Sequence, residues 1–406
     1  MYKSVNGDTF EIISRKIYFN EKNIELLKKA NPNIEEPIPV GTNIITPIDV
    51  AKKQDNIINE SEIGQNDITI LIDGAIFKYF TDISIRRSID SIDTLIFTAP
   101  MESDNIDFIN IFKPFTYKEV VVFVGTEQIF NGTIINISPS VGQDSKIITV
   151  DCYARCGVLN DCTASPTQYP LEFVNSSLFT IANTLLKPFG LLAIFEDLIG
   201  ATFEQVSIKP NEKILPFLTK LASERNLLIS SNSDGNVVFK KPSLSNDIKA
   251  RVQEGISPLI SISASFSSQE YYSHISGLEV VDTGGNGSSF TLKNDRLNIF
   301  RPITFEVEDT TTGDIRDAVE SKMGRMFGNM VSYSLEMASV RDGFNNLWTP
   351  NTLINVLSPN NMIYNEYTFL IRDVELIFGQ NSSTAILDIV IPQSFSGKIP
   401  EVLPWD

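Results

Sequence analysis

The sequence predicts an α+β chain that is mainly β: a small βααβ module, then two antiparallel β domains separated by an α/β connector. Three observations carry this. Residues 67–162 and 251–406 are dominated by alternating Ile-, Val- and Phe-rich segments broken at Gly, Asn, Asp and Pro, the period-2 pattern of half-buried strands joined by short turns. Residues 163–250 interrupt them with two segments of helical period. The first 48 residues are too short to bury much surface and have an organisation of their own.

In that opening module, Tyr2 to Val5 reads as a short strand ending at Asn6-Gly7. Asp8 or Thr9 is placed to cap a helix whose Phe10, Ile13 and Ile17 recur at helical spacing. A second helix runs from about Glu21 to Lys29, with Ile24, Leu26 and Leu27 inward. Asn31-Pro32 stops it, and the run Pro37 to Pro47 supplies a turn and a closing strand. Residues 49–66 are polar with scattered Ile and read as a linker.

From Asp67 the strand pattern begins, and pattern alone leaves barrel and sandwich open. Val124 to Ile134 reads as a hairpin with Gly125-Thr126 near its tip. In the connector, Asn175 or Ser176 is placed to cap a helix with Leu178, Ile181 and Leu185 inward and Pro188 at its end. A second helix buries Ile214, Phe217, Leu218 and Leu221 and tolerates Pro216 only in its first turn. A hairpin turning at Asp234-Gly235 follows. The last domain, 251–406, contains one helix, expected to be capped by Asp314 and buried through Ile315, Val319, Met323 and Met326. The domain and the connector could be discontinuous in space.

Charge and composition exclude several classes. Lys plus Arg total 33 against 50 Asp plus Glu, a formal net charge of −17. Such a surface gains nothing from counterion release, so no specific nucleic-acid binding is expected, although DNA could slide past it without sticking. No apolar run approaches the ~20 residues that span a bilayer, and no membrane insertion is expected. The start, MYKSVNGDTF, lacks the basic and apolar regions of a Sec-type signal. Cys152, Cys156 and Cys162 are odd in number and lack zinc-knuckle spacing, so free thiols in a reducing compartment are expected, with no metal and no cofactor.

No catalytic centre emerges. The chain has one histidine, His274, in a strand-like segment beside Tyr271 and Tyr272, which argues against a nucleophilic triad. No His-Glu-x-x-His is present, and the carboxylates lie mostly at turns, caps and strand faces. The Gly-rich run Asp282 to Phe290 lacks the Lys-Ser/Thr of a phosphate loop and reads as a hairpin tip. Arg86-Arg87, Arg301 and Arg325 could each recognise a carboxylate bidentately, but read as salt-bridged surface residues.

Two resemblances add to this. Tyr2, Val5, Gly7-Asp8-Thr9, Ile13, Tyr18, Leu27, Asn31-Pro32, Val40-Gly41 and Pro47 fall where the LysM family's pattern puts them, with Phe10 where Leu is commoner. The resemblance implies a shallow groove that contacts glycan or protein, formed here by Asp8, Thr9, Phe10 and by Asn31, Pro32, Asn33, Ile34; the protein-adaptor role is favoured over peptidoglycan contact. The rest resembles the baseplate hub proteins of contractile phage tails, the late-control or tail-hub family. The resemblance rests on an ordered series: Phe112 to Ser140, the helices at Ser177 to Leu191 and Glu212 to Asn226 with the following hairpin, and the block from Arg296 to Leu376.

That resemblance implies two tube-like β-barrel domains per chain and a homotrimer that imitates six-fold symmetry. It implies partners in the hexameric tail tube protein, the trimeric central spike protein and other baseplate proteins. It also implies a channel for DNA lined by the subunits, no enzymatic activity, and a place in the virion tail baseplate after assembly in the host cytoplasm. The alternatives are a peptidoglycan-targeted wall-degrading tail enzyme, or the hub of a tailocin or other injection device.

Overall fold

The computed structural model describes residues 2–4, 9–13, 24–32, 34, 36, 38–44, 64–143, 145–169, 171–242, 248–279, 287–307, 312–379, 382–395 and 400–406. The chain divides into two units, Met1–Asp67 and Ile68–Asp406.

In the first unit, β1 (Tyr2–Lys3) pairs antiparallel with β2 (Asn43–Ile44), Tyr2 opposite Ile44. Residues 10–13 are helical, and α1 spans Ile24–Ala30. Thr9 is the cap of the first helical turn: its Oγ1 accepts the Ile12 N–H at 3.2 Å. Phe10, Ile13, Leu27, Ile38 and Ile44 form the core, with Ile24 and Ile34 packed against it. Asp8, Ile17, Tyr18, Asn33 and the Leu26 side chain lie outside the described residues, as does most of the expected linker.

The second unit starts with β3 (Ile68–Ile72), β4 (Ala75–Phe77), β5 (Asp82–Ser88) and β6 (Thr94–Pro100). The short helix α2 (Ile106–Ile111) precedes β7 (Glu119–Val124), β8 (Glu127–Val141) and β9 (Lys146–Ala154). Val124 faces Glu127 across the Gly125-Thr126 turn, as expected. The connector region holds β10 (Glu172–Ser176), α3 (Leu178–Leu186), β11 (Ala193–Phe195), β12 (Phe203–Ser207), α4 (Ile214–Glu224), β13 (Leu228–Ser231) and β14 (Val237–Lys240). Then come β15 (Ile248–Gln253), β16 (Leu259–Phe266), β17 (His274–Glu279), β18 (Ser289–Lys293), β19 (Pro302–Val307) and α5 (Thr312–Met330). The chain ends with β20 (Val331–Met337), β21 (Leu353–Ser358), β22 (Ile363–Gly379) and β23 (Ser383–Val390).

Three expectations need correction. The cap of α3 is neither Asn175 nor Ser176. Ser177 Oγ accepts the Thr180 N–H at 3.2 Å, while Asn175 takes φ 48° within β10, whose last residue is Ser176. Asp314 lies inside the first turn of α5, which begins at Thr312. The strand-rich last third also does not form a sheet of its own. Its β15, β16 and β20–β23 join β3–β9 in one 13-stranded sheet, while β17–β19 form a separate three-stranded sheet in the order β18-β17-β19.

The joint between the two strand-rich regions is β22. At 17 residues it is long enough to serve two neighbours along one edge: β21 beside Ile363 to Leu370 and β5 beside Asp373 to Gly379. β23 occupies its other edge. A register shift between Ile371 and Asp373, at Arg372, marks the change of partner. The chain is also not purely antiparallel, since β15–β21, β11–β14 and β17–β19 are parallel pairs.

The first half of the large sheet curls. In the order β6-β9-β8-β7-β3-β4, four strands separate Phe97 from Phe77. A flat sheet would hold them roughly 24 Å apart, five steps of about 4.8 Å, yet their rings are 5.9 Å apart. Phe112 meets Phe77 at 5.3 Å and Phe97 at 6.2 Å, and Phe108 meets Phe112 at 4.8 Å. The apolar faces of these strands therefore enclose one core, closed at one end by α2.

α5 packs beside α4 and across β17. A Cβ on Gly277 would lie 2.9 Å from Val319 and 3.1 Å from Ile315, so the missing side chain sets how closely the helix approaches the strand. Met326 Sδ accepts the Tyr272 N–H at 3.2 Å, and Arg325 donates to the Leu227 carbonyl at 3.5 Å. Among the described residues, no helix is long and apolar enough to cross a membrane.

Candidate functional site

Of the seven groove residues expected in the N-terminal unit, Asp8 and Asn33 lie outside the described residues. Phe10 is buried in the core, and its N–H donates to Glu36 Oε1 at 2.6 Å. Asn31 is also buried, its Nδ2 donating to the Leu27 carbonyl at 2.8 Å to close the end of α1. The Ile34 N–H donates to the Asn31 carbonyl at 3.1 Å, which brings Pro32 and Ile34 round in a tight turn. Pro32 is exposed, and Thr9 and Ile34 are half-buried.

In the second unit, the polar face of the large sheet forms ordered cross-strand rows. Ser263, Ser334, Asp388 and Asp373 are successive partners across β16, β20, β23 and β22. The adjacent row runs Ser261, Glu336, Ile386, Glu375 and Arg86, continuing onto β5. Ser261 Oγ donates to Glu336 at 2.9 Å and Ser84 Oγ to Glu375 at 2.6 Å. Arg86 donates to Asp373 at 2.9 Å and stands 4.0 Å from Asp388. The Asp373 hydrogen bond and the surrounding carboxylates raise the Arg86 guanidinium above its ordinary value. These two rows hold four carboxylates and one guanidinium, so they are net acidic. Beside them lies a cavity of about 320 Å³.

A second ion pair fastens the joint. Arg372, at the shifted position of β22, donates to Asp90 through Nη2 at 2.9 Å and Nε at 3.3 Å. This forked geometry is the strong form of an Arg–carboxylate contact. Ile89 N–H also donates to the Arg372 carbonyl at 3.1 Å. Of the arginines singled out in the sequence, Arg86 and Arg87 are ion-paired. Arg301 instead donates to the backbone carbonyls of Tyr271 and Gln269 at 3.1 and 2.8 Å.

Asp93 sits where the connector meets the sheet. Its Oδ1 accepts the Ser88 N–H at 3.2 Å, and its own N–H donates to Ser231 Oγ at 2.9 Å. The side chain is 3% exposed, and Arg87 Nε stands 3.8 Å away, too far for a hydrogen bond. Burial pushes the carboxyl up to about 7, with Arg87 the largest opposing influence. The folded state therefore holds this proton more tightly than the unfolded chain does. The resulting stabilisation is complete below the ordinary carboxylate range and is lost as pH rises through about 7. Asp93→Asn is expected to remove this component. The gap in melting temperature between variant and wild type should then shift in the variant's favour from pH 5 to pH 8, and a gap independent of pH would refute the assignment.

The tip of the β13–β14 hairpin docks on β8 and on the 3₁₀ turn Arg155–Asn160. Gln128 Nε2 donates to the Ser233 carbonyl at 2.9 Å and to Asp234 at 3.1 Å, and the Cys156 N–H donates to the Gly235 carbonyl at 2.9 Å. Cys152 and Cys156 are buried. Burial pushes the Cys156 thiol up to about 12 and the Cys152 thiol higher still, which leaves them protonated and unreactive at neutral pH. His274 Nδ1 lies 3.0 Å from Ser273 Oγ, which also accepts the Arg301 N–H at 2.8 Å. Its ring meets Phe300 at 5.5 Å. Among the described residues, no group of three His, Cys, Asp or Glu is arranged to hold a metal. The tip of the expected Gly-rich hairpin, 280–286, lies outside the described residues, though Leu278 and Ser289 are paired on either side of it.

Comparison with known proteins bears on the connector first. Residues 156–241 match the family described as "Baseplate hub protein gp44-like, second domain". The baseplate hub protein gp44 of Escherichia phage Mu is 21% identical over 327 residues, which cover 76% of this chain and 85% of that protein. The 43 kDa tail protein of prophage MuSo2 from Shewanella oneidensis superposes with a TM-score of 0.69 at 20% identity, over 81% of this chain and 99% of its own. A tail protein from Neisseria meningitidis reaches the same TM-score at 13% identity, over 81% of this chain and 98% of its own. The chain thus contains a segment that matches the gp44-like baseplate hub family, resembles a phage Mu hub protein along most of its length, and shares its fold with phage tail proteins.

Proposed function

We propose that the protein is the baseplate hub of a contractile phage tail: a homotrimer that joins a hexameric tail tube to a trimeric spike and lines the path of the DNA. The observation that carries this reading is the match of residues 156–241 to a hub's second domain, set in a chain with the fold of phage tail proteins along 81% of its length. The curl of the first half of the sheet, with strand-rich regions before and after the connector, supports two tube-like halves per subunit. Three subunits would then offer six such halves to the tube and a three-fold face to the spike.

The polar rows built on Asp373, Asp388, Glu336 and Glu375 supply the surface that this function needs along a DNA channel. It is hydroxyl-rich and net acidic, so phosphates are repelled and slide past. The ion pairs at Arg86 and Arg372 and the buried thiols act in the scaffold. The hub works by geometry alone, and the N-terminal unit serves as an adaptor to another baseplate protein. Light scattering on the purified full chain is expected to give the mass of three subunits, and imaging of that species a ring with an axial channel. Release of sugar or peptide from purified sacculi would overturn the non-enzymatic reading and favour a wall-degrading tail protein.

A further inference from the structure

The two strand-rich regions each present an apolar surface to solvent, and the two surfaces are opposite in charge. On the first, α2 carries Ile106, 74% exposed, and Ile109, 49% exposed, spaced to share one face of the helix. Glu102, Asp104 and Asp107 surround them, and no basic residue occurs between Met101 and Phe112. The helix is firmly held. Asn105 Oδ1 accepts the N–H groups of Asp107 and Phe108 at 3.0 and 3.3 Å, and Phe108 and Phe112 anchor it in the core. Its outward isoleucines are therefore a fixed feature.

On the second, a groove of about 470 Å³ lies between β15 and the loop before β21. Its apolar wall includes Ile248, Val252, Met337, Trp348 and Phe344, and Lys249 and Arg251 border it. Arg251 reaches Glu366 at 3.3 Å, and the side chain stays 79% exposed. Phe344 is 71% exposed. Its loop is braced by Asp342, whose Oδ1 accepts the Phe344 and Asn346 N–H groups at 2.9 and 2.8 Å. β15 pairs only with β21, so its other edge is open among the described residues. Lysine on an open edge strand is a common protection against stray pairing. Protection does not require an apolar groove beside it, nor a phenylalanine held out over that groove.

We propose that α2 of one protomer seats in the β15–Phe344 groove of a second copy of this chain, with Ile106 and Ile109 against Phe344 and the acidic flank of α2 against Lys249 and Arg251. In a chain of net charge −17, a basic patch facing an acidic one favours the approach of two copies there. The contact joins two different surfaces, so it is heterologous, the kind that a three-fold rotation closes into a ring of three. It rests on the trimeric reading above and specifies which surfaces build the trimer.

The test uses the full chain and sedimentation equilibrium, with circular dichroism as a check on folding. Phe344→Asp is expected to weaken self-association by at least about thirtyfold, as loss of a central aromatic anchor does. The double variant Lys249→Glu/Arg251→Glu should weaken it by about tenfold. Adding Asp104→Lys/Asp107→Lys to that double variant should restore association to within about threefold of wild type. A trimeric wild type whose variants associate equally well overturns this contact and leaves the trimer standing. A monomeric wild type overturns the trimeric reading and this contact with it.

Discussion

Replacing Gly235 by alanine is expected to destabilise the protein by about 3 kcal/mol or more. Two effects add. Gly235 has φ +76°, a conformation that costs an L-residue about 1–2 kcal/mol. An added Cβ would also stand 2.5 Å from the Asn131 carbonyl oxygen and 2.9 Å from the Arg155 backbone nitrogen. Both obstacles are main chain, so the hairpin must lift away from β8. The bonds from Gln128 to Ser233 and from Cys156 to Gly235 would be lost with it. Gly190 is the control. Its φ is +65°, but a Cβ added there would meet no atom within 4 Å, so Gly190→Ala should cost only about 1 kcal/mol. Urea unfolding of both variants measures the difference, and equal costs would show that the close approach contributes nothing.

Phe97→Ala is expected to cost about 3–5 kcal/mol, the range for truncating a buried aromatic. Phe97 is fully buried and touches both Phe77 and Phe112. Its loss opens a cavity at the place where strands remote in the sheet order meet, and it also removes support from α2. Thermal unfolding and hydrogen exchange should report lower protection in β4 and α2 as well as in β6. Ile96, next in sequence but on the opposite face and 46% exposed, provides the comparison, since Ile96→Ala should stay within about 0.5 kcal/mol. Similar losses for the two variants would mean that the curled core does not organise this half of the sheet.

Much of the local structure was legible in the sequence. Helical spacing identified Leu178, Ile181 and Leu185, and likewise Ile214, Phe217, Leu218 and Leu221, as inward faces, and all seven are buried. Gly125-Thr126 and Asp234-Gly235 were recognisable as turns because glycine permits positive φ, although the second sits in a longer loop, Asn232 to Asn236, between β13 and β14. The cap of α3 was misplaced by one or two residues because Asn175, Ser176 and Ser177 are all chemically competent. Which one caps depended on where β10 ended. The helix α2 left no signal, since six residues, apolar on both faces, are too few to display a period.

The candidate site was legible only as residue types. In the N-terminal unit, a family pattern marked Thr9, Phe10, Asn31, Pro32 and Ile34, but it did not separate Phe10 and Asn31, which are interior, from the others. In the large sheet, nothing in the order of residues pairs Arg86 with Glu375 or Asp373, nearly three hundred positions away. A signal did exist: the alternation of Ser, Glu and Asp with apolar residues along β16, β20, β22 and β23 marks a polar face. The rows become visible only once the register is known.

The sequence by itself determined the mainly β class, the helical interruption between strand-rich regions and the acidic net charge. These follow from composition and from periods of two and 3.6 residues, which are local properties. The tertiary structure alone decided that both strand-rich regions share one sheet through β22, that β17–β19 and α5 leave it to pack near α4, and which carboxylates stand together on one face. Those outcomes depend on pairing between distant segments. Many registers satisfy the same alternation, and packing of the whole core selects among them.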